Sequence, residues 1–333
     1  MTNLTDEQFE IVTREIHAML DDGDLDEAWR VMKMFADGRF NFRVDQFPSL
    51  LPRCFAELGR DRRKDYGGLL DQIRSLCGAG GPPATSGTEG TASGPLALQT
   101  IGEVRHAGRT YPLVKLVTMP PASPYATRLP ICIVAGVHGD EPDGVLSALE
   151  FARRFARSPN LTDNYSLTIY PCINPTGYER MTRENLNGKD LNREFFRDSA
   201  EEEVRIMERE LKAQEFVGFI NGHSDYESFG IYAYATGAVL SERLAKPALF
   251  QASSVIPINT DPIIDGHPAQ YGIINETIPG SLGPLTKGIS EPFDITIETP
   301  NLFALRKRVE AQAIAFETIL HEYRAVASEA MYL

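Results

Sequence analysis

His138 and Glu141 stand three residues apart in the segment Val134-Ala-Gly-Val-His-Gly-Asp-Glu-Pro-Asp-Gly144. An imidazole and a carboxylate at that spacing can converge on one cation without a long preformed helix. The apolar run before them and the glycines Gly136, Gly139 and Gly144 around them mark a loop at the end of a strand rather than a solvated face. His223, in Phe219-Ile-Asn-Gly-His-Ser-Asp-Tyr-Glu227, follows a second apolar run in the same manner. Two imidazoles and one carboxylate form a catalytic rather than a structural zinc set, because the fourth position stays open to water. The metal lowers the pKa of such a water to about 7. One zinc ion is therefore expected, and the chain's six histidines leave few other ligands to choose from.

That chemistry also needs a base for the water's proton and positive charge where an oxyanion develops. Glu298 closes the apolar run Phe293-Asp-Ile-Thr-Ile297, where partial desolvation raises a carboxyl pKa into a useful range. It is the candidate base. Arg180, Arg183, Lys189 and Arg193 gather in one loop of an otherwise acidic protein. An arginine fork matches a carboxylate bidentately, and Asn192 beside Arg193 adds a donor, so this loop reads as a corner for a substrate's carboxylate.

The elements that must position these groups fall into two regions. From Thr5 to about Leu76 apolar residues recur at helical spacing (Phe9, Val12, Ile16, Leu20, then Ala28, Val31, Met32, Phe35), and Thr5 with Gln8 forms a capping box. This predicts a helical N-terminal domain over 1–76. Residues 77–96 are dense in Gly, Ser, Thr and Pro and read as a flexible linker. Over 97–333 short β-branched runs alternate with amphipathic helices, the pattern of an α/β domain with a mixed sheet. Strands are predicted over Thr110–Val117, Leu129–Ala135, Ser166–Cys172, Glu215–Ile220, Gly230–Ala235 and Asp294–Ile297, and helices over Asp143–Arg157, Ala200–Gln214, Ser241–Ala252 and Leu302–Ala327. The reactive loops follow the strands, where α/β sheets gather their ligands.

Composition excludes other classes. In 333 residues, 33 basic against 46 acidic side chains leave a formal charge of -13, which disfavours attraction to nucleic acid or anionic lipid. No run of about 18 apolar residues predicts a membrane span, and the acidic start MTNLTDEQFE does not read as a secretory signal, so a cytoplasmic location is expected. Cys54, Cys77, Cys132 and Cys172 are scattered without a CxxC pair and read as buried small hydrophobes. The nucleophile elbow, the phosphate loop, the H-E-x-x-H helix and the dinucleotide fingerprint do not occur.

Taken in order, His138-x-x-Glu141, Asn174-Pro-Thr-Gly177, Thr182-Arg183, Asp190-Leu-Asn-Arg193, His223 and Glu298 resemble the zinc metallocarboxypeptidases of the carboxypeptidase A type. The succinylglutamate desuccinylase and aspartoacylase branch shares part of the pattern. The resemblance runs from about Thr100 to Leu320 and leaves the N-terminal helices unmatched. It implies a mixed eight-stranded sheet flanked by helices, with His138, Glu141 and His223 as zinc ligands and Glu298 as general base and acid. It further implies that Arg183 polarises the scissile carbonyl, that Asn192 and Arg193 hold the terminal carboxylate, and that Asp190 orients His138. Arg180 competes for the polarising role, although Thr-Arg-Glu-Asn favours Arg183. Tyr271 is the tyrosine placed to cover substrate. No acid or base marks the specificity pocket in Tyr271–Gly288, Lys287 reading as a solvated side chain. The substrate implied is a peptide or an N-acyl amino acid with a free carboxylate. For the N-terminal helices, self-association, a partner or cover of the active-site mouth all remain open.

Overall fold

The computed structural model describes residues 4–37, 64–77, 95–120, 128–237, 240–284 and 292–330. The expected linker lies almost wholly outside the described residues, as do Cys54 and Lys287. The N-terminal helices begin where the capping box predicts. Thr5 Oγ1 accepts the Gln8 N–H at 3.2 Å and Gln8 Oε1 accepts the Thr5 N–H at 2.9 Å, which satisfies donors that a helix start leaves without partners. Helix α1 (Asp6–Asp21) buries Val12, Ile16 and Met19, and α2 (Leu25–Ala36) buries Ala28, Val31 and Phe35. Both stripes join the main core. Helix α3 (Tyr66–Ser75) is tied to the sheet region that follows by Tyr66, whose hydroxyl donates to the Pro112 carbonyl at 2.6 Å.

The rest alternates strands and helices. In chain order these are β1 (Leu96–His106), β2 (Arg109–Thr118), β3 (Leu129–Ala135), α4 (Pro142–Ala156), α5 (Pro159–Thr162), β4 (Tyr165–Tyr170), α6 (Pro175–Arg180), α7 (Glu202–Ala213), β5 (Gly218–Asp225), β6 (Tyr232–Gly237), α8 (Leu240–Ala252), β7 (Ile263–Ile264), β8 (His267–Pro268), β9 (Ile273–Ile274), β10 (Phe293–Pro300) and α9 (Leu305–Ala330). Eight strands form one mixed sheet in the order β1-β2-β4-β3-β5-β10-β6-β9, and β7 pairs with β8 apart from it. Strands β4, β3, β5 and β10 are mutually parallel, and β2 and β6 flank them antiparallel.

Alternation along β3 explains the layers. Ile131, Ile133 and Ala135 face the core shared with α4, α8 and α9, while Cys132 and Val134 face a second core against Val204, Met207 and Leu211 of α7. A strand covered on both faces must be apolar throughout, which is why β3 reads as an unbroken hydrophobic run. From β3 the chain moves to β4 on one side and later to β5 on the other. Such a switch in direction opens a crevice at the carboxyl ends of the strands. The sequence reading is corrected in detail here: β5 extends through His223, which sits within the strand rather than in the loop after it, and β10 runs past Glu298 to Pro300. Strand β1 was not expected.

Candidate metal centre and active-site cavity

Three elements bring the metal group together. The loop after β3 carries His138, Glu141 precedes the first turn of α4, and β5 carries His223. Close backbone contact holds the loop in place: a Cβ on Gly139 would lie 1.9 Å from the Gly177 carbonyl carbon, and one on Gly144 would lie 2.5 Å from the Gly222 oxygen. Only glycine allows these approaches, and the second presses the start of α4 against β5.

All three side chains are buried. Glu141 lies between the imidazoles, with Oε1 2.6 Å from His138 Nδ1 and Oε2 2.8 Å from His223 Nδ1, and the two Nδ1 atoms are 3.2 Å apart. Ligand atoms around a tetrahedral zinc stand roughly 3.3 Å apart, so this donor set fits one such ion. The remaining His138 nitrogen, Nε2, is 3.1 Å from Asp190 Oδ1, which fixes the tautomer that leaves Nδ1 free to ligate. Burial works against the charge on Glu141, but the two imidazoles beside it hold its carboxyl well below the usual range. Burial likewise opposes charge on His138, yet Glu141 and Asp190 raise it to about 9. Asp190 stays ionised despite partial burial because the His138 N–H, Arg183 and Arg193 face it.

His138, Glu141 and His223 line a cavity of about 1080 Å³. Arg183 reaches it, with Nε donating to Asp190 Oδ2 at 3.1 Å and Nη1 3.6 Å from Glu141 Oε1. Arg180, exposed at the end of α6, does not line it. Asn192 and Arg193 share another wall, Asn192 Oδ1 accepting the Leu282 N–H at 2.9 Å. Glu298 faces the same space. In the parallel pairing of β10 with β5 it stands opposite His223. Burial pushes its carboxyl well above the ordinary range, and the negative charges of Glu141, Asp225 and Asp265 add to the push. Tyr271 lies apart from the cavity lining, 67% exposed, with its ring 5.8 Å from the Lys246 ammonium. The tyrosines that do line the cavity are Tyr226, Tyr232 and Tyr234.

A model of the family described as zinc carboxypeptidase matches residues 93–277, more than half of the chain. The chain belongs to the zinc carboxypeptidase family. Murein peptide amidase A of Escherichia coli (strain K12) is 38% identical over 90 residues, which cover 27% of this chain and 34% of that protein. The match thus spans about a third of that curated relative. Among solved structures, a Shewanella baltica protein solved as a candidate metallopeptidase superposes with a TM-score of 0.59 at 24% identity, over 77% of this chain and 90% of the other. Bovine thrombin-activatable fibrinolysis inhibitor gives 0.56 at 16% identity, over 80% and 99%. These likenesses show the fold. In this zinc carboxypeptidase family member Glu298 lies beyond the stretch matched by the family model.

Sequence reasoning missed two sets of cavity residues. Asn221, Thr296 and Asp294 line the cavity two or four positions before His223 and Glu298, and period-two alternation along their strands could have found them. Trp29, Arg30, Lys33 and Met34 of α2 also line it. Nothing local in an amphipathic helix signals that a distant cavity abuts it. Of the helices open to several roles, α2 thus forms part of the cavity wall.

Proposed function

We propose that this protein is a zinc-dependent peptidase that hydrolyses the amide next to a free terminal carboxylate in a short peptide. The observation that carries the reading is one cavity joining the His138–Glu141–His223 group, Glu298 opposite His223, and Asn192 with Arg193 on another wall. Zinc held by the three ligands would supply Lewis acidity, polarising the scissile carbonyl and making a water more acidic. Glu298 takes the proton of the attacking water and passes it to the leaving amine, and its raised carboxyl pKa suits the second transfer. Water and amide are consumed, and a carboxylic acid and an amine result. Arg183 offers its guanidinium to the oxyanion that develops on the carbonyl oxygen. Arg193 and Asn192 hold the terminal carboxylate, and Asp190 keeps His138 in its ligating orientation.

A short-peptide substrate is supported by the size of the cavity, which lies at the upper end of the small-molecule range, and by α2, which walls one side of it. The name of the Escherichia coli relative, a peptide amidase, agrees with this class. The same wall favours a second reading, an N-acyl amino acid deacylase acting through the same metal and base. A cytoplasmic setting goes with either reading, supported by the unpaired buried thiols of Cys132 and Cys172. Mass spectrometry of products from a mixture of short peptides and N-acyl amino acids, with wild type beside Glu298→Gln, tests the choice. Glu298-dependent loss of terminal residues is expected. Release of amino acids from the acylated compounds alone would establish the deacylase instead.

A further inference from the structure

Asp143 is fully buried at the second residue of α4, two positions after Glu141. Its carboxylate meets β5, β10 and α9 at once. Oδ1 accepts from Ser224 Oγ at 3.1 Å and lies 2.9 Å from Arg308 Nη1, while Oδ2 accepts from Thr299 Oγ1 at 2.5 Å. Ser224 directly follows His223, and Thr299 directly follows Glu298. In the parallel pairing of β5 with β10 the two hydroxyl residues stand opposite each other, one row beyond His223 and Glu298. Successive strand residues point to opposite faces. The hydroxyls therefore reach the side of the sheet covered by α4 and α9, while Glu298 faces the cavity, which neither Asp143 nor Thr299 lines.

Further back on the same face, Ile220 of β5 and Ile295 and Ile297 of β10 belong to the main core. A carboxylate in such a layer carries a large desolvation cost, and apolar residues of similar volume often serve stability as well as a buried ion pair does. Stability alone therefore does not account for a charge at this place. Arg308, itself fully buried, faces the carboxylate and also donates to the Asn301 side chain at 2.8 Å and the Phe303 carbonyl at 3.0 Å. One turn along α9, Gln312 donates to the His223 and Ile297 carbonyls at 2.9 and 3.0 Å. Side chains thus brace the strand ends that carry His223 and Glu298, in addition to the ladder of the sheet. Ser224 also donates its N–H to Glu141 Oε2 at 3.2 Å, so the residue held by Asp143 touches the metal group as well.

We propose that Asp143 is a positioning residue: its carboxylate ties the ends of β5 and β10 to the start of α4 and thereby sets Glu298 against the His138–Glu141–His223 group. Asp143 touches no substrate and acts through Ser224 and Thr299, with Arg308 anchoring it from α9. The inference rests on the reading of Glu298 as the base beside a zinc site. A misplacement of about 1 Å costs about 10²-fold in rate, and loss of a partner behind a metal ligand weakens metal binding by about 10–100-fold. A slackened strand end should therefore show in both quantities.

Zinc affinity, measured by competition with a chelator, and steady-state turnover of a short peptide at saturating zinc test this on the full chain. Asp143→Asn should bind zinc at least roughly ten-fold more weakly and lose at least roughly ten-fold in kcat with KM little changed. Thr299→Val keeps the shape of the side chain and removes its hydroxyl. It should retain wild-type zinc affinity and lose kcat by at least roughly ten-fold, and Thr299→Ser, which restores the hydroxyl, should recover the rate. A folded Asp143→Asn protein with wild-type zinc affinity or wild-type kcat would overturn the proposal, leaving the carboxylate a purely structural tie. So would wild-type kcat in Thr299→Val, or a loss there that Thr299→Ser does not recover. Where Asp143→Asn does not fold, the two Thr299 variants decide alone. Where wild type turns over no peptide, the peptidase reading falls, and the zinc affinity of Asp143→Asn still decides for or against the positioning role.

Discussion

Glu27 of α2 and Arg308 of α9 are 281 residues apart in sequence and form a 2.7 Å ion pair in which Arg308 is fully buried. Arg308 also meets Asp143 at 2.9 Å, and Asp143 accepts from Ser224 Oγ at 3.1 Å and Thr299 Oγ1 at 2.5 Å. The Ser224 N–H in turn donates to Glu141 Oε2 at 3.2 Å. An N-terminal helix is thus joined to the metal group through side chains of α9, α4 and β5. Arg308→Met should leave Asp143 buried without its paired cation, and Glu27 with Arg30 alone, at a cost of about 3–5 kcal/mol. Urea denaturation should show that loss. A midpoint unchanged from wild type would mean that the network contributes little to stability.

Glu27 also predicts how stability depends on acid. Burial alone would raise its carboxyl, but Arg30 and Arg308 pull it from 4.5 down to about 2. The folded value lies below the unfolded one, so the ionised form favours the native state. That contribution, about 3 kcal/mol, is complete above about pH 4.5 and disappears as pH falls towards 2. Denaturation at stepped pH should give Glu27→Gln a flatter stability profile than wild type across this window. Parallel profiles would contradict the assigned pairing.

The metal group was legible in sequence because its residues carry chemistry at short spacing beside glycine and apolar runs. Elsewhere local pattern misleads for physical reasons. The end of β5 reads as a loop because Asn221, His223 and Ser224 are polar, yet they are strand residues whose neighbours at the cavity replace water. Strand β1 pairs with β2 alone at the sheet edge. It carries exposed Gln99, Thr100, Glu103 and Arg105, so the alternation that marks a half-buried strand is broken. Tyr271 satisfies a sequence distance, but a positive φ of 56° turns its backbone beside Gly272, and the ring lies outside the cavity. The α2 wall depends on contacts such as that of Arg30 with the Asn301 carbonyl at 3.1 Å, which no local pattern announces.

Asp190 should govern metal affinity without binding the metal. Its Oδ1 accepts from His138 Nε2 while Oδ2 accepts from Arg183, and loss of such a partner typically weakens metal binding by about 10–100-fold. Competition with a chelator should show this for Asp190→Asn, while His223→Ala, which removes a donor atom itself, should fail to retain zinc after dialysis. Wild-type affinity in Asp190→Asn would leave the orientation of His138 to its packing alone.

Glu298→Gln separates chemistry from assembly of the site. Glu298 stands opposite His223 in the strand register, and among the described residues no hydrogen bond joins it to His138 or Glu141, whose bonds run to each other, His223, Asp190, Arg183 and Ser224, so the variant should keep full zinc stoichiometry. The amide cannot accept the water's proton, and general acid–base assistance is worth about 10²–10⁴-fold. Turnover of a peptide substrate should fall by that factor at a pH where the wild-type Glu298 is ionised, and by less as falling pH protonates it, whereas a change confined to KM would assign Glu298 to binding. A further contrast fixes the role. If the carboxyl's raised pKa, caused by burial and the nearby negative charges, serves proton return to the leaving amine, substrates with better leaving groups should lose less activity in Glu298→Gln than ordinary peptides do. Equal losses across leaving groups would confine Glu298 to activation of the attacking water.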